Sequence, residues 1–440
     1  MKKLIYFEWL HFSRNTARPI AILLFLLASL FGCYNGFKSY QERTNEIEAI
    51  DNRKWETIAE AEGWFDEGKT GPAGRPWVDI NTPFWSMWYA THYLIQEPKS
   101  IMIFNLGQSE HFGYYKRVTM WTTAFDDDLT AEISNPELVQ LGSLDFTFVW
   151  FYLMPLLLIV LTYSTKGLEQ DLGFIPLLKV QIPSLHIWLL QRILTTGFGL
   201  LILLSALIFI PALLISGLSF SNGLINIWSV YGLYLVLWLA LVYLIMRFSK
   251  GQADQALKMI GIWLVFTVAI PGLVNQYVLL KKPASLMMDM IEAGREGQAE
   301  IYDRPEDEIL IEAQRIIPGL SKLEAAQYDS LMKQPMINGA YRLVLTEYMS
   351  KISDAIIKEQ LARNQMIASS YWFNPVTGFH NWANNLTQTG HTSNLDFRRN
   401  IKKGGEALQY RLVVDEWKDK KVDKASFETY VQLLEPQKHE

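Results

Sequence analysis

Five stretches of the chain carry apolar residues without a single Asp, Glu, Lys or Arg: Pro19 to Phe37, Phe146 to Tyr163, Ile193 to Ser216, Leu224 to Met246 and Met259 to Leu280. Crossing ~30 Å of hydrocarbon at 1.5 Å per residue takes about 20 helical residues, close to the length of each stretch. Soluble core helices keep a polar face over such a length, so the pattern predicts five transmembrane helices. Between and after them the texture changes. From Lys38 to about Gly68 the apolar residues recur at helical spacing among Glu and Lys, as if the first span ran on into a charged helix. "GPAGRPWVDINTP" reads as loop, and "KSIMIFNLGQSEHFGYYKRVTMW" is expected to hold short strands. Beyond Lys281, "PASLMMDMIEAGREGQAEIYD", "PEDEILIEAQRIIPGL" and "AYRLVLTEYMSKISDAIIKEQLARNQMIASSYW" read as helices, with breaks at Pro305, Pro318, Pro335 and "NPVTG". The expected fold is membrane α-helical. It has a cytoplasmic interfacial helix at 1–18, a first span at 19–37, an α+β extracytoplasmic domain at 38–145, four spans with their loops at 146–280, and a mainly helical second extracytoplasmic domain at 281–440.

The basic residues near the span ends set this orientation. Lys2, Lys3, Arg14 and Arg18 precede the first span, Lys166, Lys179 and Arg192 lie between the second and third, and Arg247, Lys250 and Lys258 lie between the fourth and fifth. These three segments are expected in the cytoplasm, while "GLSFSNG" between the third and fourth spans is uncharged and suits the outside. Lys281 and Lys282 oppose the rule and are outvoted. The N-terminus is thus expected inside and the C-terminus outside the membrane. "LFGC", Leu30 to Cys33, resembles a lipoprotein cleavage site, but the long leader with Glu8 and "FEWLHFSRN" reads as an interfacial helix before an uncleaved span. The net charge of −5 changes little, because the charges lie outside the spans, and the lone Cys33 excludes an intrachain disulfide.

Candidate chemistry is sparse. Gly63 to Thr70, "GWFDEGKT", matches the phosphate-cradling loop of nucleotide triphosphatases letter for letter. That loop needs a strand before it and a helix after it; here a helical stretch precedes and "GPAGRP" follows, so the match reads as a glycine-rich helix stop. The seven histidines make no metal spacing; His92 and His380 sit among aromatics and read as packed or hydrogen-bonded side chains. "FWSMWYATHYL" reads first as the core of a small domain, with a lipid- or ligand-contacting surface as the alternative. No catalytic, cofactor or metal residue is expected. The charge-free spans argue against ion or proton pumping.

"EISNPELVQLGSLDFTFVWFYLMPLLLIVLTYS", with "NLGQSEHFGYYKRV" before it and "SSYWFNPVTGFHNWANNLTQTG" far downstream, resembles the type-two ABC-transporter permeases that carry large extracytoplasmic domains, a bacterial branch with a domain of uncharacterised function near the C-terminus. In that family the Pro-Leu-Leu run lies in the second span and the next loop carries a signature like S-x-E-x-E-x-G-T-L. Here "GLEQDLGFIPLL" puts Glu169, Asp171 and Gly173 at the acidic and glycine places, with Phe174 where the family has threonine. The resemblance implies a transport subunit without enzymatic chemistry, two permease chains, a separate ABC ATPase subunit docked below, and Glu169, Asp171 and Gly173 as ATPase-coupling residues. The partners expected are that ATPase, a second permease chain and the lipid bilayer, with no nucleic acid. Read on their own, the two carboxylates either meet basic residues of a partner or cap a helix N-terminus within this chain. "RFSKGQADQALK" reads as the second cytoplasmic corner, a rigid elbow between the fourth and fifth spans. The alternative function is a membrane-anchored extracytoplasmic scaffold or sensor.

Five spans that start inside finish outside, whereas the family usually adds a sixth span after its C-terminal domain. "KASFETYVQLLEPQKHE" stops where that span would begin, and "YVQLL" is far too short to cross. A natural five-span variant, a truncated chain and a miscounted span are the three explanations, the last the weakest because the basic residues alternate as five crossings require. His439 is then expected outside, with the residues after Leu280 packing beside the 38–145 domain.

Overall fold

The computed structural model describes residues 16–122, 144–182, 184–215, 222–282, 286–322 and 333–434. Helix α1 runs unbroken over Ala17–Glu67, 51 residues, so the first apolar stretch does continue into its charged extension. The extension is built of helix formers with an i,i+4 pair, Lys38 to Glu42 at 3.7 Å. It stops at Gly68, whose φ of 66° suits a residue without a Cβ, and the Lys69 N–H then binds the Trp64 carbonyl at 2.8 Å. "GWFDEGKT" is therefore a helix C-terminus presenting carbonyls, the wrong pole for a phosphate. After it come α2 (Pro83–Tyr89), β1 (His92–Ile95) and β2 (Tyr115–Val118). The two strands pair antiparallel, His92 opposite Val118. The stretch expected to hold short strands contains β2, and ahead of it "SIMIF" is a 3₁₀ turn over Ser100–Phe104.

Five helices are long and apolar enough to cross a membrane: the first part of α1, then α3 (146–162), α6 (Leu185–Leu214), α7 (Asn222–Phe248) and α8 (Gln252–Lys281), with the short α4 (Gly167–Asp171) and α5 (Ile175–Gln181) between α3 and α6. Helix α1 approaches α3 along small residues: Ser29, Gly32, Cys33 and Gly36 are all buried. A Cβ on Gly36 would lie 2.0 Å from the Ile103 carbonyl oxygen, and one on Gly32 would lie 2.6 Å from the Phe146 nitrogen. That close fit seats the 3₁₀ turn and the head of α3 on α1. Asp145 caps α3 by accepting from the Phe148 N–H at 2.7 Å.

Two spans contain a π-helical turn just before a proline, Val149–Leu153 ahead of Pro155 and Val265–Ala269 ahead of Pro271. A proline has no N–H for the carbonyl four residues back, so the bulge relieves the clash and the freed oxygen needs another donor. Around Pro155 it finds one. The Tyr234 hydroxyl donates to the Phe151 carbonyl at 2.6 Å, and Trp263 Nε1 donates to the Tyr152 carbonyl at 3.1 Å. Helices α7 and α8 thus each clasp the bulge of α3. Tyr231, Trp150, Phe151 and Phe146 fill the space between.

The polar parts meet in one body. Ile58, Ala61 and Trp64 of α1, Val78, Ile80 and Met87, Val118 and Met120 pack directly against Leu408 and Leu412 of α13 (His391–Trp417) and Phe427 and Tyr430 of α14 (Lys424–Val431). The segments expected as two domains are therefore joined by a shared core. A lone two-stranded sheet is marginal by itself, and here the helices after residue 390 cover it. A second cluster holds α9 (Leu286–Tyr302), α10 (Glu306–Ile316) and α11 (Lys333–Ala368) against α13 through Ile301, Ile309, Ala340, Leu343 and Trp417. The remaining helix, α12 (Pro375–Thr387), leaves this body and packs on α7. The expected breaks fall at helix starts: Pro305 is an N-cap, Pro335 lies in the first turn of α11 and Pro375 opens α12. The interfacial helix at 1–18, apart from its last three residues, most of "GLSFSNG", "EISNPELVQLG" and His439 lie outside the described residues.

Candidate coupling site at the basic end of the bundle

The corner between α3 and α6 begins at Ser164, which accepts from Arg18 Nη2 of α1 at 2.9 Å. Lys166 comes next and turns inward. Its Nζ donates to the carbonyls of Met246, Arg247 and Ser249 at 2.6, 3.1 and 3.2 Å, covering the C-terminus of α7 where carbonyls lack helical partners and the dipole is negative. Gly167 lies so close to the second corner that a Cβ would sit 2.5 Å from the Gln252 Cα. The two loops expected separately at this end are pressed into one layer.

Glu169 and Asp171 face into that layer. Arg192 Nη1, at the start of α6, donates to Glu169 Oε1 at 2.8 Å and to the Thr165 carbonyl at 3.0 Å. The Arg192 side chain is 9% exposed and that of Glu169 25%, a largely desolvated pair whose rupture leaves a charge uncompensated, at a cost of about 3–5 kcal/mol. Asp171 Oδ2 accepts from the Gln252 N–H at 3.0 Å, at the first turn of α8. Of the two readings open from the sequence, Asp171 takes the cap within the chain. Glu169 pairs with a basic residue of its own chain. Behind them Gln255, fully buried, reaches the Thr162 carbonyl at 3.4 Å.

Gly173 ends α4 with φ of 73°. The Phe174 N–H binds the Glu169 carbonyl at 2.8 Å and the Gly173 N–H binds the Gln170 carbonyl at 3.1 Å, the paired closure of a left-handed helix stop. This turn throws α5 outward. None of its residues is buried, and Leu172, Phe174, Leu177 and Val180 are 57%, 49%, 56% and 86% exposed. A rigid polar base therefore carries an apolar ridge that is exposed among the described residues. Lys166, Arg192 and Gln252, which hold that base, were visible in the sequence only as orientation markers or helix filler. Gly167 was the one signal of a close backbone approach.

Compared with protein-family models, curated proteins and solved structures, the chain matches none. The site's chemistry thus rests on its own geometry. Among the described residues no three His, Cys, Asp or Glu side chains are grouped to hold a metal ion. His92 is buried at the head of β1, and burial, with Lys54 and Arg117 adding to it, pulls its pKa down to about 4. His380 lies edge-on to Phe151, ring centroids 5.9 Å apart. Of the corner's acids and bases, Glu169, Asp171, Lys166 and Arg192 are engaged in the bonds above. What it can do is transmit force, because a push on α5 passes through Glu169 to α6, through Asp171 to α8 and through Lys166 to α7.

Proposed function

We propose that this chain is the membrane-spanning permease subunit of an ATP-driven ABC exporter, moved by a separate ATPase subunit that docks on α5. The observation that carries the reading is the exposed ridge Leu172, Phe174, Leu177 and Val180 on a base bonded to three spans. The resemblance of "GLEQDLGFIPLL" to the family's loop signature points to the same place. In this reading the basic corners face the cytoplasm of a bacterial inner membrane, the shared polar body is extracytoplasmic, and two permease chains pair around the transport path. Glu169, Asp171 and Gly173 are positioning residues: they fix the angle of α5 and do not themselves meet the ATPase. The clasped bulge before Pro155 and the π turn before Pro271 give α3 and α8 a place to bend when the corner moves.

The test is co-purification of the detergent-solubilised chain with identification of what stays bound. An ATPase retained by the wild type and lost from Leu177→Glu/Val180→Glu, with membrane insertion unchanged, is the expected result. Retention by both proteins would remove α5 as the dock. Recovery of envelope components with no ATPase would favour the anchored scaffold or sensor.

A further inference from the structure

In a region otherwise dense in charge, residues 364–395 contain no Asp, Glu, Lys or Arg. They comprise the end of α11, a turn at 369–374, α12 and the start of α13. This hairpin packs on the apolar bundle. The Phe379 ring is 5.4 Å from Tyr234 of α7, and Val376 and Ala383 are buried in the same cluster as the spans.

Two routes give its depth. Along α7, Met246 lies at the basic end, where Lys166 binds its carbonyl, and Tyr234 lies about 18 Å of helix away. With ~30 Å of hydrocarbon, Tyr234 and the Phe379 beside it sit roughly 12 Å inside the opposite face. Along α11, Glu359 pairs with Lys282 at 2.9 Å, just past the far end of α8. From Glu359 the helix runs on to Ala368, about 14 Å further at 1.5 Å per residue, beside the second half of α8, and α12 reaches the π turn Val265–Ala269. Both routes put the turn at the level of acyl chains.

Its chemistry suits that level. Trp372 is 85% exposed, and Phe373 and Trp382 are exposed beside it. The N–H groups of Ser369, Ser370, Tyr371, Phe373 and Asn374 all donate to carbonyls within the hairpin, as a backbone without water requires. The Ser369 and Ser370 hydroxyls bind local carbonyls, and Asn381 donates to the Tyr371 hydroxyl at 2.6 Å. Tyr371, Pro375, Phe379 and Trp382 line a groove of about 400 Å³.

Residues 386–395 stay bonded to Gln96, Lys99 and Gln108 of the polar body. We infer that residues 369–382, the turn and the first part of α12, form the tip of a re-entrant hairpin seated in the half of the bilayer away from the basic corners, and that its groove takes an acyl chain of a phospholipid of that leaflet. The inference needs the five spans to cross a bilayer and is independent of any ATPase.

Because Cys33 is the only cysteine, Cys33→Ala gives a background for single spin labels in phosphatidylcholine nanodiscs. Trp372→Cys should behave as Phe198→Cys on the outward face of α6, open to oxygen and shielded from a nickel chelate. Behaviour like Glu60→Cys on the charged part of α1, shielded from neither, overturns the hairpin's placement. The unmodified chain is tested in parallel with phosphatidylcholine bearing a photoreactive group on its acyl chain. Adducts on Tyr371, Phe379 or Trp382 are expected. Adducts on Trp372 or Phe373 that spare those three overturn the groove, and an absence of adducts throughout 369–382 overturns both claims.

Discussion

His92 shows how a single side chain sets a limit on the whole body. It is 4% exposed, and its Nε2 has no hydrogen-bond partner among the described residues. Its pKa is lowered from 6.5 to about 4, mainly by burial. Between those values the folded protein binds fewer protons than the unfolded chain, so the stability present above pH 6.5 is lost as pH falls toward about 4. At about 1.4 kcal/mol per pH unit the effect has a ceiling of about 3 kcal/mol. His92→Gln should flatten this acid limb: its thermal midpoint should fall less than the wild type's between neutral and mildly acidic pH. Equal falls in both proteins would assign acid sensitivity to other groups. The packed state of this histidine was legible from "WYATHYL", because aromatic neighbours on both sides leave little room for water. Its missing partner was not, since Val118, opposite it across the strand pair, brings no polar side chain.

At the scale of elements, Lys166 joins two corners that lie about eighty residues apart in sequence. Lys166→Met keeps the length of the side chain and leaves three carbonyls of the α7 C-terminus without that donor. A loss of about 1–3 kcal/mol is expected for such groups, read as a lower melting midpoint in detergent and faster proteolysis at 246–255. Cleavage there at the wild-type rate would mean that the corners are held together by other contacts. The five spans were legible because lack of charge over that length has a single physical use. The charged extension of α1 was legible through its period and its glycine stop. The partners of Glu169 and Asp171 were not, because Arg192 and Gln252 are distant in sequence and only folding brings them near. That the strand in "KSIMIFNLGQSEHFGYYKRVTMW" begins only at Tyr115 was not legible for a similar reason: the apolar residues of Ser100–Phe104 are buried around Gly36 of α1, a contact that no local pattern encodes.

For the molecule as a whole, the shared core makes the polar body depend on its last helices. A chain ending at Gly390 would lack α13 and α14, leaving Val78, Ile80, Met87 and Val118 without Leu408, Leu412, Phe427 and Tyr430. Residues 69–122 should then become protease-sensitive while 146–281 stay protected. Continued protection of 69–122 would show that this segment folds alone. Helix α1 enters that core after passing through the bundle, with no break between Ala17 and Glu67. At 1.5 Å per residue it is a strut of about 76 Å, pinned at one end by Arg18 on Ser164 and at the other by Trp64 in the core and Asp66 on Lys424. A swing of about 10° about the basic end would carry the far end of a strut that long through roughly 13 Å. One unbroken helix thus ties the basic end of the bundle to the shared polar core with no joint between them.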